Sequence, residues 1–160
     1  MSTIGVVRRV SAVVVALASL GVVAPAAEQT SPASVPVARI AVSFKMDPLL
    51  FGGTYGGVRW ISGPKYSSAA QQGTQVLVEA RVRSLDAGGR PAAASPVWVP
   101  ADPEMVAVSP VSGAELDHVR LTVKKVGESK LRVVSQGMSK ELLVVAKAVG
   151  KNAMQVTITQ

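Results

Sequence analysis

The sequence predicts an all-β fold, a two-sheet sandwich without a disulfide that follows a signal peptide, and three observations carry that prediction. Apolar residues recur at every second position through most of the chain, the period that sends alternate side chains to one face of a strand. Clusters of Gly, Pro, Asp and Asn cut these runs into short segments, as a sandwich requires. No stretch sustains a helical stripe, and the composition agrees: of 160 residues 48% are apolar, much of that Val and Ala, while 4% are aromatic and 17% charged.

Residues 1–27 read as a leader. Arg8 and Arg9 precede an apolar and small-residue run from Val10 to Ala24, and Pro25, Ala26 and Ala27 lead into polar Glu28, Gln29 and Thr30. This is the order of a secretory signal peptide: basic n-region, apolar h-region, small-residue cleavage site. The run of about 15 residues falls short of the roughly 20 that span a bilayer, so cleavage near Ala26 or Ala27 is expected, with no stable transmembrane segment afterwards. The residues after the arginine pair lack a twin-arginine pattern, and the absence of cysteine removes lipid attachment. Losing Arg8 and Arg9 takes the formal charge from +7 to about +5, a surface drawn to anionic polymers or membranes. The expected location is periplasmic, secreted or associated with the cell surface.

Residues 28–36, with Pro32 and Pro36 among small polar residues, read as a flexible linker. Residues 37–71 supply an N-terminal strand, from Val37 to Phe44, and a segment rich in glycine and aromatic residues. The sandwich proper is expected over residues 72–160. Its clearest strand runs from Thr74 to Arg83, with Val76, Val78, Ala80 and Val82 on one face and Leu77, Glu79, Arg81 and Arg83 on the other. Asp86 to Pro91 forms a reversal, and a short strand between Pro96 and Pro100 carries Trp98. Further strands are expected at residues 105–109, 118–124, 130–135 and 140–146, parted by turns at Ser112-Gly113, Gly127 and Gln136-Gly137. A last strand, residues 153–159, alternates Met154, Val156 and Ile158 with Gln155, Thr157 and Thr159.

The stretch Trp98-Val99-Pro100-Ala101-Asp102-Pro103-Glu104-Met105-Val106-Ala107-Val108-Ser109 resembles the bacterial immunoglobulin-like domain, group 2. In that family a strand tryptophan precedes an Asp-Pro type turn and a Val-Ala-x-Val strand. Upstream, Gly73 to Val78 and the reversal at Asp86 to Pro91 are similar to the family's early strand and the turn that follows it; downstream, Lys125 to Val133 and Gln136 to Ser139 are similar to its later turn and closing hairpin, so the resemblance spans about Gln72 to Lys147. The family departs from this chain at Pro100 and Ala101, where small hydroxyl residues are usual, and before Gln72, where it has no counterpart. The resemblance implies an immunoglobulin-like sandwich with an extra C-terminal strand, and a scaffold or binding role in adhesion or at the cell surface.

Trp98 offers the largest single apolar surface for an inter-sheet core, with Val78, Leu121 and Val133 expected beside it. The chemistry the sequence excludes is broad. With no cysteine and His118 as the lone histidine, thiolate nucleophiles and Cys/His zinc sites are absent, and no catalytic residues, metal site or cofactor are expected. Asp86, Asp102, Glu104, Glu115 and Asp117 match no calcium loop and read as turn formers and solvated charges. His118 is expected on the wet face of its strand with Arg120 and Thr122.

The most distinctive segment is Phe51-Gly52-Gly53-Thr54-Tyr55-Gly56-Gly57-Val58-Arg59-Trp60. Glycine pairs let backbone approach closely, and Phe51, Tyr55, Arg59 and Trp60 are the residue types that stack on sugars or anchor protein contacts. The segment either caps its own sandwich or meets a partner, an envelope protein or a glycan; it lacks the lysine and helix start of a phosphate loop. Arg120, Lys124, Lys125, Lys130, Arg132 and Lys140 form a second, basic candidate for anionic polymers, with several of them on one solvent face. No aromatic residue interleaves there, and no specific nucleic acid is expected. The function expected is an exported, non-enzymatic immunoglobulin-like module that binds or spaces envelope components, or alternatively an accessory subunit packing on a larger exported complex.

Overall fold

The computed structural model describes residues 35–47, 58–113 and 117–160. Among them are eleven strands and no helix: β1 (Arg39–Lys45), β2 (Trp60–Ile61), β3 (Lys65–Ser67), β4 (Gln71–Gln72), β5 (Val76–Leu85), β6 (Val97–Pro100), β7 (Val106–Pro110), β8 (His118–Val123), β9 (Gly127–Ser135), β10 (Met138–Val149) and β11 (Ala153–Thr159). Two antiparallel sheets result. The first runs β2-β1-β5-β8-β7; the second runs β3-β11-β10-β9-β6, with β4 also pairing β11. The leader expected at residues 1–27 and most of the linker lie outside the described residues.

Alternation builds the core as expected. Val76, Val78, Ala80 and Val82 of β5 face inward with Val42 and Phe44 of β1 and with Val119, Leu121 and Val123 of β8. From the second sheet come Leu131 and Val133 of β9, Leu142, Val144 and Ala146 of β10, and Met154, Val156 and Ile158 of β11. Each fully buried side chain of this size contributes about 1.5–3 kcal/mol of transfer free energy. Phe44, wholly buried, meets Tyr66 of β3 with ring centroids 5.0 Å apart, so the two sheets are also joined by an aromatic pair. Burial and the nearby Asp47 carboxylate push the Tyr66 phenol up to about 12.

The described part of residues 37–71 enters both sheets. β1 and β2 extend the first and β3 and β4 the second, so the boundary expected at residue 72 runs through β4 rather than beside a separate element. Strands β2 to β4 are two or three residues long and carry no readable period.

Trp98 differs from its expected place at the centre of the core. It lies on β6, the edge of the second sheet, half-buried and packed against the core from one side, and its indole Nε1 is buried without a partner. The reason is positional: β6 pairs only β9, so no second strand lies along its other edge among the described residues. Val78, Leu121 and Val133 are fully buried. Trp98→Phe deletes the unpaired donor along with part of a ring already half in water, so its unfolding free energy should stay within about 1 kcal/mol of the parent in urea titration. A loss of several kcal/mol would mean that the indole N–H has a partner.

The turns have local causes. The Asp86 carboxylate accepts from the Arg90 N–H at 2.8 Å and from Arg90 Nε at 3.1 Å, and Gly89 takes the φ of +78° that closes the reversal. Asp102 Oδ1 accepts from the Glu104 and Met105 N–H groups at 2.9 and 3.1 Å, which fixes the entry to β7. Gln136 and Gly137, at φ +44° and +81°, form the two-residue link between β9 and β10, the positive-φ pair that suits a twisted hairpin. Edge strands β6 and β7 each finish on a proline, Pro100 and Pro110, which denies a ladder donor to an incoming chain.

Candidate functional site

The outward positions of the first sheet bring together residues that are remote in sequence. The register sets Lys45 of β1 opposite Trp60 of β2, Arg81 of β5 opposite His118 of β8, and Glu79 opposite Arg120. All share one face because the neighbouring positions, Phe44, Ala80 and Val119, are turned into the core.

Trp60 is the aromatic centre of this face. The Arg81 guanidinium carbon lies 4.5 Å from its ring centroid, a cation–π contact, and the His118 imidazole meets it edge-on with centroids 4.9 Å apart. Arg81 Nε and His118 Nε2 are both buried without a hydrogen bond, and both groups pack on the indole. His118 is thus not on a freely wetted face: Trp60 covers it, although Arg120 and Thr122 share its side of β8 as expected.

Glu79 is the one carboxylate in the cluster. Lys45 Nζ lies 2.8 Å from its Oε2, His118 Nε2 3.4 Å from the same oxygen without hydrogen-bond alignment, and Arg120 Nη2 3.8 Å from Oε1. The Lys45 hydrogen bond, opposed by desolvation and helped by the surrounding cations, holds the Glu79 carboxyl below its ordinary value. A lowered carboxyl pKa adds stability above the unfolded value near 4.5, and that stability is lost as pH falls through the folded value. Glu79→Gln should therefore show a shallower loss of stability than the parent between about pH 5 and 3, read by denaturant titration at each pH; parallel curves would count against the linkage.

Of the residues expected to bind a partner, Trp60 is the half-buried centre of this face, and Arg59 just before it is exposed, its carbonyl accepting from the Met46 N–H at 2.8 Å. Phe51 and Tyr55 lie outside the described residues. Lys45, Glu79, Arg81, His118 and Arg120 were not singled out as one group by the sequence, since only the register of three strands assembles them.

The basic candidates do not share one face. Arg120 belongs to the first sheet; Lys124 and Lys125 sit on the turn after β8, where Lys125 pairs with Asp102 at 3.0 Å; Lys130 and Arg132 point outward from β9; and Lys140 occupies an inward position of β10. Pairing registers on different sheets separate charges that look contiguous in a linear reading.

Fold and face together define an all-β sandwich with a polar and aromatic outer surface on its first sheet. No family model, curated protein or solved structure matches the chain.

Proposed function

We propose that the chain is an exported, non-enzymatic immunoglobulin-like module that binds or spaces components of the bacterial cell envelope. Strand order is the observation that carries this reading. Constant-type immunoglobulin domains place strands A, B, E and D in one sheet and C, F and G in the other. Taking β1 and β5 to β10 as A to G gives β1-β5-β8-β7 and β6-β9-β10, which are neighbours here, with β11 added beside G and β2 beside A. Under this correspondence Trp98 falls on strand C, where such folds keep a tryptophan. Strands B and F, joined by a disulfide in antibody domains, are joined here by the buried hydrogen bond between Ser84 Oγ and Ser135 Oγ at 2.7 Å. The motif resemblance around Trp98 points the same way.

Contact with an envelope protein or glycan is assigned to the Trp60 face, where the ring packs with Arg81 and His118, Arg120 shares the same surface, and exposed Arg59 directly precedes Trp60 in the chain. The accessory-subunit reading draws on the exposed Val97 and Val99 of edge strand β6, which a larger protein would cover. Binding of the purified protein to isolated cell-wall glycan and to solubilised envelope proteins tests the main reading. Arg59→Ala and Arg120→Ala should each weaken it by about 1 kcal/mol or more, roughly fivefold, while unfolding changes by less than about 0.5 kcal/mol. Capture indifferent to both substitutions would remove this face from the interaction.

A further inference from the structure

Lys140 sits where alternation turns a side chain toward the core, in line with buried Leu142, Val144 and Ala146 of β10. It lies beyond the point where β11 leaves β10, since that ladder closes at Leu143 opposite Thr159. A cleft of about 460 Å³ opens there between the sheets, lined by Lys140, by Arg39 at the start of β1, and by Ser62, Gly63 and Gln160. β2 pairs β1 only at Phe44 and Lys45, so the stretch from Arg39 to Ser43 has no strand neighbour on that side among the described residues. The Gln160 amide fixes one wall, donating to Gly63 O at 2.6 Å and to Val42 O at 3.4 Å.

The side chains that line the cleft include two cations, Arg39 and Lys140, and no carboxylate. Among the described residues neither Arg39 nor Lys140 forms an ion pair, and nearby acids are committed elsewhere: Glu141 faces outward to Lys130 at 2.9 Å, and Asp86 holds Arg90. Burial, and then the Arg39 guanidinium, push the Lys140 ammonium below its ordinary value. Lys140 is half-buried and Arg39 exposed at the mouth of the same cleft; like charges so placed repel, and a bound anion reverses the sign of that interaction.

We propose that this cleft binds a phosphate-type oxyanion, free or carried on a larger molecule, between the Arg39 guanidinium and the Lys140 ammonium. The planar fork of arginine grips two oxygens of such a group, and the lysine adds a movable point charge. The volume lies within the range of about 300–1,000 Å³ typical of small-molecule sites, which leaves room for the organic part of an ester. This site is separate from the Trp60 face and does not depend on the function proposed above.

The test titrates inorganic phosphate into 15N-labelled protein at an ionic strength held constant with sodium chloride. Saturable shifts should gather at the amides of Arg39, Ser62, Gly63 and Lys140. Arg39→Gln and Lys140→Gln should each weaken binding by about tenfold or more, the loss of one charge-assisted contact, and Arg39→Lys, which keeps the charge without the fork, should fall between. Lys130→Gln, which removes an exposed ion pair, should leave it within about twofold. Because both glutamine variants relieve repulsion, each should melt in phosphate-free buffer no lower than the parent, which checks folding. Co-sedimentation with phosphatidylglycerol vesicles but not phosphatidylcholine vesicles, lost in Lys140→Gln, assigns the phosphate to a lipid headgroup; phosphate binding without vesicle binding assigns it to a soluble phosphate. Shifts that never saturate, or an equal loss in Lys130→Gln, overturn the proposal.

Discussion

Phe44→Ala should lower the unfolding free energy by about 3 to 5 kcal/mol, the cost of a large-to-small change in a core that cannot collapse around the gap. Phe44 is wholly buried and is one of the largest such side chains described, and it touches Tyr66 across the two sheets. Its backbone also pairs on both sides, with Ala80 of β5 and Ile61 of β2, so the surrounding strands cannot close in without breaking their ladders. Against a typical total of about 5–15 kcal/mol, the loss is a large share of the stability. Urea titration should show the midpoint falling with little change in slope, since the surface exposed on unfolding is nearly unchanged. A loss under about 1 kcal/mol would show that the ring is not held in a close-packed interior.

The next largest effect is expected at Ser68, a polar residue with no exposed surface just after β3. Its backbone N–H donates to Val156 O at 2.9 Å, and its hydroxyl accepts from the Val156 N–H at 3.0 Å while donating to Ala69 O at 2.8 Å. The hydroxyl thus stands where a strand carbonyl would continue the ladder. Ser68→Ala leaves a buried N–H without an acceptor, which costs about 1–3 kcal/mol although only one oxygen is removed. Hydrogen exchange at the Val156 amide localises the effect: its protection should fall while that of Leu121, in the other sheet, follows only the global change. Unaltered protection at Val156 would mean that another acceptor replaces the hydroxyl.

What could be read from the sequence follows from the length of each run. In β5, β8, β9, β10 and β11 five or more alternating positions show which face is buried, and Val78, Leu121 and Val133 are found there. Two- and three-residue strands such as β2 and β4 have too few positions for a period, so their entry into the sheets becomes visible only through their pairing. Trp98 is only partly buried despite its size, because residue size says how much surface could be buried, whereas an edge position decides how much is. The Trp60 cluster was half legible. Trp60 and Arg59 stand out by type, but Arg81 and His118 meet the ring only because β1, β5 and β8 are aligned in one register.

The threading of the N-terminal segment through both sheets sets an order in time. The first sheet needs no strand beyond β8, so its ladders can close once residue 123 has been made. The second cannot: Ser67 waits for Thr157, 90 residues later, and closing so long a loop must come before its contacts stabilise anything. Until β11 arrives, β10 is an open edge bearing Leu143 and Val145, a template on which another chain could form a strand. The fate of a newly made molecule therefore depends on a race between its own last strand and its neighbours, which dilution favours and crowding of unfolded chains does not.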